Sequence, residues 1–163
     1  LMGYLNPIMQ YGIEAFCKRC AETGIDGVIL PDLPLADYLR DYKPQADRYG
    51  LRFIMLITPE TSEERIRLID EHTDGFIYMV STAATTGMQE CFPDETLRYF
   101  ERINAMELRN PRLIGFGISN PQTLRAAQRH AAGAIVGSGF IQALGQRPSI
   151  QEAVETLFLN LGL

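Results

Sequence analysis

The chain has 163 residues, of which 46% are hydrophobic and 21% are charged, with a formal net charge of -5. This balance is typical of a globular domain large enough to bury a core, and we expect one domain over residues 1–163. The mixed, slightly acidic charge argues against a nucleic-acid surface, and no apolar run approaches the roughly 20 residues of a membrane span. No secretory signal pattern is visible, so we expect a cytoplasmic protein.

Short apolar runs alternate with helical stretches along the chain. Their apolar residues are continuous rather than alternating, which indicates strands buried on both faces. The alternation of strands and helices predicts an α/β fold with a parallel sheet. Residues 1–4 are typical of the end of another buried strand. Because a domain rarely opens in mid-strand with no lead-in, and position 1 is not Met, we expect that an N-terminal part of the domain is missing. The five internal runs are 27–30, 51–57, 75–80, 113–116 and 134–136.

Capping and proline signals predict where several helices begin or break. Pro44 should divide the stretch 36–49 into two short helical pieces, the second of which starts near the proline. N-cap residues with a suitable third residue, or a following proline, mark three other starts. These are Thr61 with Glu64, Asn120 followed by Pro121, and Ser149 with Glu152.

Three cysteines occur in the chain, and two of them form a C-x-x-C pair, Cys17 and Cys20. A zinc site requires a second pair or histidines near the first, and the sequence offers no such set. The spacing instead places both thiols on one apolar helix face beside Phe16. We therefore expect core packing and no metal.

A long segment, 81–93, separates the run 75–80 from the next helix. It contains Thr85-Thr86-Gly87 and little hydrophobic patterning. Long loops at the carboxyl end of parallel strands often close over active sites, so the segment is a candidate lid. The alternative is a passive surface loop.

Two glycine-rich turns, 115–119 and 137–139, follow the last two apolar runs and lead into helices. Glycine lets backbone N–H groups approach an anion, and a helix N-terminus adds partial positive charge. Barrel enzymes often hold phosphate between the loops after their last two strands. Neither turn contains Lys or Arg, so backbone amides and the Ser138 hydroxyl would hold the phosphate. The alternative is that both are only tight strand-to-helix turns.

Other polar groups near strand ends admit two interpretations. Asp32 follows the first internal run between prolines, where it either performs acid–base work or anchors a turn. Tyr78 lies within a strand and either directs its hydroxyl into a barrel mouth or only packs. His72 and His130 lie in or after helices, away from strand ends, which favours structural roles.

The motifs together resemble the α subunit of tryptophan synthase. They occur in the order and spacing of that family over essentially the whole chain. The set is more specific than any single motif. Its members are Leu1-Met2-Gly3-Tyr4-Leu5-Asn6-Pro7, Leu30-Pro31-Asp32-Leu33-Pro34, Gly75-Phe76-Ile77-Tyr78 with Thr86-Gly87, Gly115-Phe116-Gly117-Ile118-Ser119 and Val136-Gly137-Ser138.

The resemblance implies a (β/α)₈ TIM barrel, of which this chain would supply roughly units 3 to 8, six parallel strands with their helices. It also implies a lyase of tryptophan biosynthesis that cleaves indole-3-glycerol phosphate into indole and glyceraldehyde 3-phosphate by a retro-aldol reaction. In that family a glutamate and an aspartate carry most of the proton transfer. Both would lie upstream of Leu1, so we expect this chain to show little or no turnover.

The resemblance also implies roles for individual residues. Thr86 would help to order the catalytic aspartate, with Tyr78 in support. The segment 83–87 departs from the family pattern, which often has a glycine before V-T-G, although Thr86 and Gly87 are kept. The phosphate would be bound by Gly87, Gly117, Gly137 and Ser138, and the indole pocket would be lined by Tyr4, Ile29, Tyr78 and Phe116.

Partners follow from the same resemblance. Asn6 and the loop around Asp32 would face a β subunit, which receives indole through a tunnel. Pyridoxal phosphate would belong to that β subunit, so no cofactor is expected in this chain. A six-unit open barrel would leave two strand edges and exposed apolar surface, so we expect the isolated chain to be marginally stable or to self-associate.

Two other functions fit part of the pattern. A sugar-phosphate isomerase or epimerase of the phosphate-binding barrel group would share both glycine turns. It would not be expected to share residues 4–7 and 31–34. A phosphate-ligand binding fragment without catalysis is the second alternative.

Overall fold

A computed structural model describes residues 1–81 and 91–163. The chain forms two compact units. The first unit contains residues 1–57 and 61–77, and the second contains residues 58–60 and 78–163. The elements of the first unit are α1 (Leu5–Tyr11), α2 (Ile13–Glu22), β1 (Gly27–Ile29), α3 (Leu35–Asp37), a π-helical turn (Tyr38–Tyr42), α4 (Lys43–Tyr49), β2 (Arg52–Ile54), β3 (Leu56–Ile57) and α5 (Glu63–His72).

The second unit repeats a strand–helix pattern. Within it β5 lies between β4 and β6, and β5 pairs with β6 in parallel. Its elements are β4 (Ile77–Val80), which begins at the last residue of the first unit, α6 (Asp94–Asn104), β5 (Arg112–Gly115), α7 (Pro121–His130), β6 (Gly133–Ile135), α8 (Ser138–Gln146) and α9 (Ile150–Leu161).

The predicted run 51–57 is divided into two strands. Residues 52–54 pair in parallel with β1, with Val28 opposite Phe53, and both side chains are buried. Leu56 and Ile57 form β3, which takes no part in that ladder. The sequence shows one continuous apolar run because Met55, between the two strands, is also buried.

Residues 1–4 pair with a strand as expected, but they are not buried. Met2 forms an isolated parallel bridge with Ile29, and the Ile29 N–H donates to the Leu1 carbonyl at 2.8 Å. Leu1 and Met2 are nevertheless 65% and 58% exposed. Within the described residues the segment has a neighbour on one side only, which leaves its apolar side chains uncovered.

Gly12 divides the first helical stretch into α1 and α2. Its φ of 91° lies in a region that side chains disfavour, and its N–H closes α1 on the Ile8 carbonyl at 2.9 Å. Cys17 and Cys20 follow on α2 with 0% and 3% exposure, so the prediction of core packing is confirmed.

Most predicted boundary signals are confirmed. Pro44 lies in the first turn of α4, and α4 directly follows the π-helical turn, where the Lys43 N–H donates to the Tyr38 carbonyl. Ser149 Oγ accepts from the Glu152 N–H at 3.2 Å at the start of α9. The predicted cap at Thr61 is wrong by one residue. Ser62 caps α5 by accepting from the Arg65 N–H, which places Glu64 too early in the helix to complete a box with Thr61.

Candidate functional site

The two glycine-rich turns leave the same edge of the sheet in the second unit. Gly115, the last residue of β5, is the register partner of Ile135, the last residue of β6. Because the two strands are parallel, the segments that follow them start side by side. This places Gly117 and Ser138 on one edge, as the sequence predicts for a phosphate site after two successive strands.

The first turn contains two successive residues in the left-handed region. Phe116 has a φ of 67° and Gly117 a φ of 71°. The conformation is easy for glycine and costs a residue with a Cβ about 1–2 kcal/mol. Within the described residues, no hydrogen-bond acceptor is found for the Gly117 N–H. The turn therefore has a strained backbone at Phe116, and the Gly117 N–H is available as a hydrogen-bond donor.

The helix after the first turn is closed by its own cap. Asn120 Oδ1 accepts from the Thr123 N–H at 2.9 Å, and Thr123 Oγ1 accepts from the Ser119 and Asn120 N–H groups at 3.1 and 3.3 Å. This confirms the predicted start of α7 at Pro121. These amides are already paired, so an anion here would use the turn before them.

The second turn ends in an open helix start. The Gly137 carbonyl accepts from Phe140 and Ile141 at 3.0 and 3.1 Å, so the N–H groups of Ser138 and Gly139 precede the first intrahelical donors of α8. Gly137 and Ser138 are exposed, and a Cβ on Gly137 would meet no atom within 4 Å. The amides thus border open space at the positive end of the helix dipole.

An aromatic pair lies beside the first turn. The rings of Tyr78 and Phe116 are 6.1 Å apart at an interplanar angle of 58°. Tyr78 is 4% exposed and Phe116 is 37% exposed, so the pair has one buried and one open member. Burial raises the pKa of Tyr78, so its hydroxyl stays protonated at neutral pH. The tyrosine can donate a hydrogen bond and is a poor base.

Sequence reasoning did not identify Ser81, which contacts this turn. Its Oγ donates to the Phe116 carbonyl at 2.8 Å, and its side chain is fully buried. The available signal was its place as the first polar residue after the apolar run 75–80, at the carboxyl end of a strand.

Asp32 anchors a helix in the first unit. Its Oδ1 and Oδ2 accept from the Leu5 N–H at 2.9 and 3.0 Å, at the first residue of α1. The carboxylate therefore acts as a helix cap supplied from a distant loop, which confirms the anchoring alternative.

Comparison with known proteins identifies the family. The family model described as "Tryptophan synthase alpha chain" matches residues 1–161. The chain belongs to this family. These matches decide against a sugar-phosphate isomerase or epimerase family.

Named relatives and solved structures agree with the family model. The tryptophan synthase alpha chain of Parabacteroides distasonis is 65% identical over 157 residues, covering 96% of this chain and 61% of the relative. That of Bacteroides fragilis strain ATCC 25285 is 58% identical over 163 residues, covering 100% and 62%. The solved alpha chain of Legionella pneumophila is 33% identical, covers 99% of this chain and 60% of its own, and has a TM-score of 0.80. The chain thus spans about three fifths of the length of these curated relatives.

A structure described as the tryptophan synthase α₂β₂ complex of Pyrococcus furiosus is similar as well. It is 31% identical, covers 99% of this chain and 64% of that chain, and has a TM-score of 0.83. These structural likenesses, with the parallel strands of this chain, confirm the α/β barrel class expected from the sequence.

The remaining positions expected from the tryptophan synthase α family lie in different places. Tyr4 precedes α1 and is 70% exposed, and Ile29 is half-buried in β1. Thr86 and Gly87 lie outside the described residues. These assignments stay predictions.

Neither histidine lies at a strand end. His72 is the last residue of α5, and His130 ends α7 with its ring 5.9 Å from that of Phe100. Among residues 1–81 and 91–163, none of the helices has the length and apolar composition of a membrane span, and no cluster of three or more His, Cys, Asp or Glu side chains could hold a metal ion.

Proposed function

We propose that this chain carries the phosphate and indole sides of the family's active site. The intact protein would cleave indole-3-glycerol phosphate into indole and glyceraldehyde 3-phosphate as a lyase of amino-acid biosynthesis. The observation that carries the proposal is the placement of two amide-presenting turns at the adjoining ends of β5 and β6.

The phosphate is bound by backbone dipoles. The N–H groups of Gly117 and Gly137 and the N–H and hydroxyl of Ser138 supply donors, and α8 adds its positive end. Neither 115–119 nor 136–140 contains Lys or Arg. The donors in these turns are neutral, and together with the helix dipole they are sufficient to hold a phosphomonoester. Gly87 is proposed as a further donor by family resemblance alone.

The indole ring packs on the aromatic pair. The partly open face of Phe116 offers an apolar surface, and Tyr78 supports it from the buried side. Aromatic rings prefer offset or tilted packing, which a planar indole can adopt on such a surface. Tyr4 and Ile29 are proposed as further lining residues by the same resemblance.

Proton transfer needs groups other than those described at this site. The retro-aldol step requires protonation of an indole carbon and removal of a hydroxyl proton from the glycerol chain. The carboxylate of Asp32 already holds the start of α1, and the raised pKa of Tyr78 makes it a poor base. We therefore propose that the 163 residues bind the substrate with little turnover, and that the family's Glu and Asp, with Thr86 in support, complete catalysis.

Partner and location follow from the family. We propose a β subunit that contacts the surface near Asn6 and the Asp32 loop and holds the pyridoxal phosphate, while this chain carries no cofactor. The two buried free thiols, Cys17 and Cys20, suit a reducing compartment, which supports a cytoplasmic location. The exposed apolar residues Leu1 and Met2 beside β1 favour self-association of the isolated chain, which sedimentation at several concentrations would test.

Ligand-dependent unfolding tests the proposal. A ligand that binds only the folded state raises the unfolding temperature with its concentration. A stable indole-alkyl phosphate should give a saturable rise, glycerol 3-phosphate a smaller one, and ribose 5-phosphate the smallest. Equal responses to the indole and sugar phosphates would contradict the indole site, and no response to any phosphate would contradict both sites.

A further inference from the structure

The peptide between Phe116 and Gly117 is held by a side chain outside the proposed binding groups. Ser81 Oγ donates to the Phe116 carbonyl at 2.8 Å, and the Ser81 N–H donates to the Gly115 carbonyl at 3.2 Å. Ser81 has 0% exposure, so its donor groups are shielded from bulk water. One buried residue thus holds two successive carbonyls where β5 ends.

Because the peptide is planar, the hydrogen bond from Ser81 to the Phe116 carbonyl also fixes the direction of the Gly117 N–H. A trans peptide is planar, so its C=O and the following N–H point in opposite directions. The peptides of the described residues are trans. Because the Phe116 carbonyl is directed at buried Ser81, the Gly117 N–H is directed to the opposite side of the turn.

The turn requires such a constraint. Phe116 has a φ of 67° without being glycine, a conformation that persists only where surrounding contacts enforce it. If the Phe116 carbonyl lost its partner, a return of Phe116 to negative φ would rotate the peptide and turn the Gly117 N–H away from its present direction. The loss of the Ser81 hydrogen bond would add a further cost.

We propose that Ser81 is a positioning residue that orients the Gly117 N–H for phosphate binding. The inference rests on the proposed function, because Gly117 is one of the proposed donors. Ser81 is fully buried, so its proposed role is indirect. It acts through the Phe116 peptide, and its effect should therefore appear at Gly117 and not at the separate donors of α8.

The test is an amide-resolved NMR titration of the full 163-residue chain with inorganic phosphate. Wild type should show saturable shifts at Gly117, Gly137 and Ser138. Ser81→Ala should weaken binding about tenfold, the scale of one lost hydrogen bond with a misplaced donor. It should also lose the Gly117 response while keeping those of Gly137 and Ser138.

Two further variants separate positioning from general destabilisation. Thr73→Val removes a buried hydroxyl that donates to the Ile69 carbonyl at 2.6 Å in the first unit, and it should leave phosphate affinity unchanged. Ser81→Cys keeps a weak donor at the same position and should bind with intermediate affinity. It also covers the case in which Ser81→Ala fails to fold.

The outcomes distinguish the two proposals. Wild-type affinity and an unchanged Gly117 response in Ser81→Ala would overturn the role of Ser81. An absence of saturable shifts in wild type would overturn the phosphate site itself. In that event the ligand-free backbone shifts of Phe116 and Gly117 still decide whether Ser81 holds the peptide, since they should change in Ser81→Ala and stay as in wild type in Thr73→Val.

Discussion

The side chain of Tyr78 occupies the space where any residue other than glycine at position 115 would place its Cβ. A Cβ added to Gly115 would overlap the hydroxyl and ring atoms of Tyr78. Both residues are buried, so the ring has no solvent-filled space into which to move. Gly115 is not among the glycines with positive φ, so the close approach of a side chain explains this glycine.

Gly115→Ala should therefore destabilise the protein by about 1–3 kcal/mol, the usual cost of overpacking a core. Urea unfolding measures the change. The matched control is Gly145→Ala on α8, where a Cβ would meet no atom within 4 Å and helix propensity favours alanine. In a Tyr78→Leu background the cost of Gly115→Ala should fall clearly, because the two sites are coupled. An equal cost in both backgrounds would show that the ring is not the obstacle.

Ser138→Glu should abolish phosphate binding, since a carboxylate at the start of α8 repels the ligand and occupies its site. Ser138→Ala keeps the backbone N–H and should weaken binding by less than tenfold, the loss of one hydroxyl hydrogen bond. Isothermal titration with glycerol 3-phosphate measures both. If Ser138→Glu bound phosphate with unchanged affinity, Ser138 would not be part of the site.

Asp32→Ala should loosen α1 without changing phosphate affinity. The variant deletes both acceptors of the Leu5 N–H, so hydrogen exchange at the start of α1 should accelerate. Phosphate titration of the same variant serves as the control. A loss of phosphate affinity with unchanged exchange would contradict the anchoring role.

Stability should fall as the pH rises above about 9. Burial, with Cys20 as a neighbour, raises the pKa of Cys17 from 9.0 to about 11, and burial near Asp47 and Asp74 raises that of Tyr38 from 10.0 to about 12. The unfolded chain loses these protons first, so their contribution is complete below the unfolded values and is lost as the pH rises through the folded ones. Urea unfolding from pH 8 to 11 should show this slope, and Cys17→Ala should reduce it. A slope that is unchanged in Cys17→Ala would exclude the thiol as a cause.

The sequence predicted features that depend on neighbours along the chain. The caps at Asn120 and Ser149 were predictable because each involves residues three positions apart. The break before α4 was predictable because Pro44 lacks an N–H wherever it occurs. The alternation of strands and helices follows from apolar runs and the segments between them.

Features that depend on tertiary neighbours were not predictable. The contact between Ser81 and Phe116 joins residues 35 positions apart, and the sequence alone does not reveal it. The division of the run 51–57 depends on which residues pair with β1. Thr61 and Ser62 are both good N-caps, so the choice between them depends on where the chain enters α5.

An NMR titration of the wild-type chain with a stable indole-alkyl phosphate would test the phosphate and indole sites together. We expect the amides of Gly117, Gly137 and Ser138 and the ring of Phe116 to shift together, with a single dissociation constant. Shifts of the amides without the ring would leave a phosphate site and contradict the indole site. Saturable binding that leaves all three amide signals unshifted would show that the turns after β5 and β6 do not form the phosphate site.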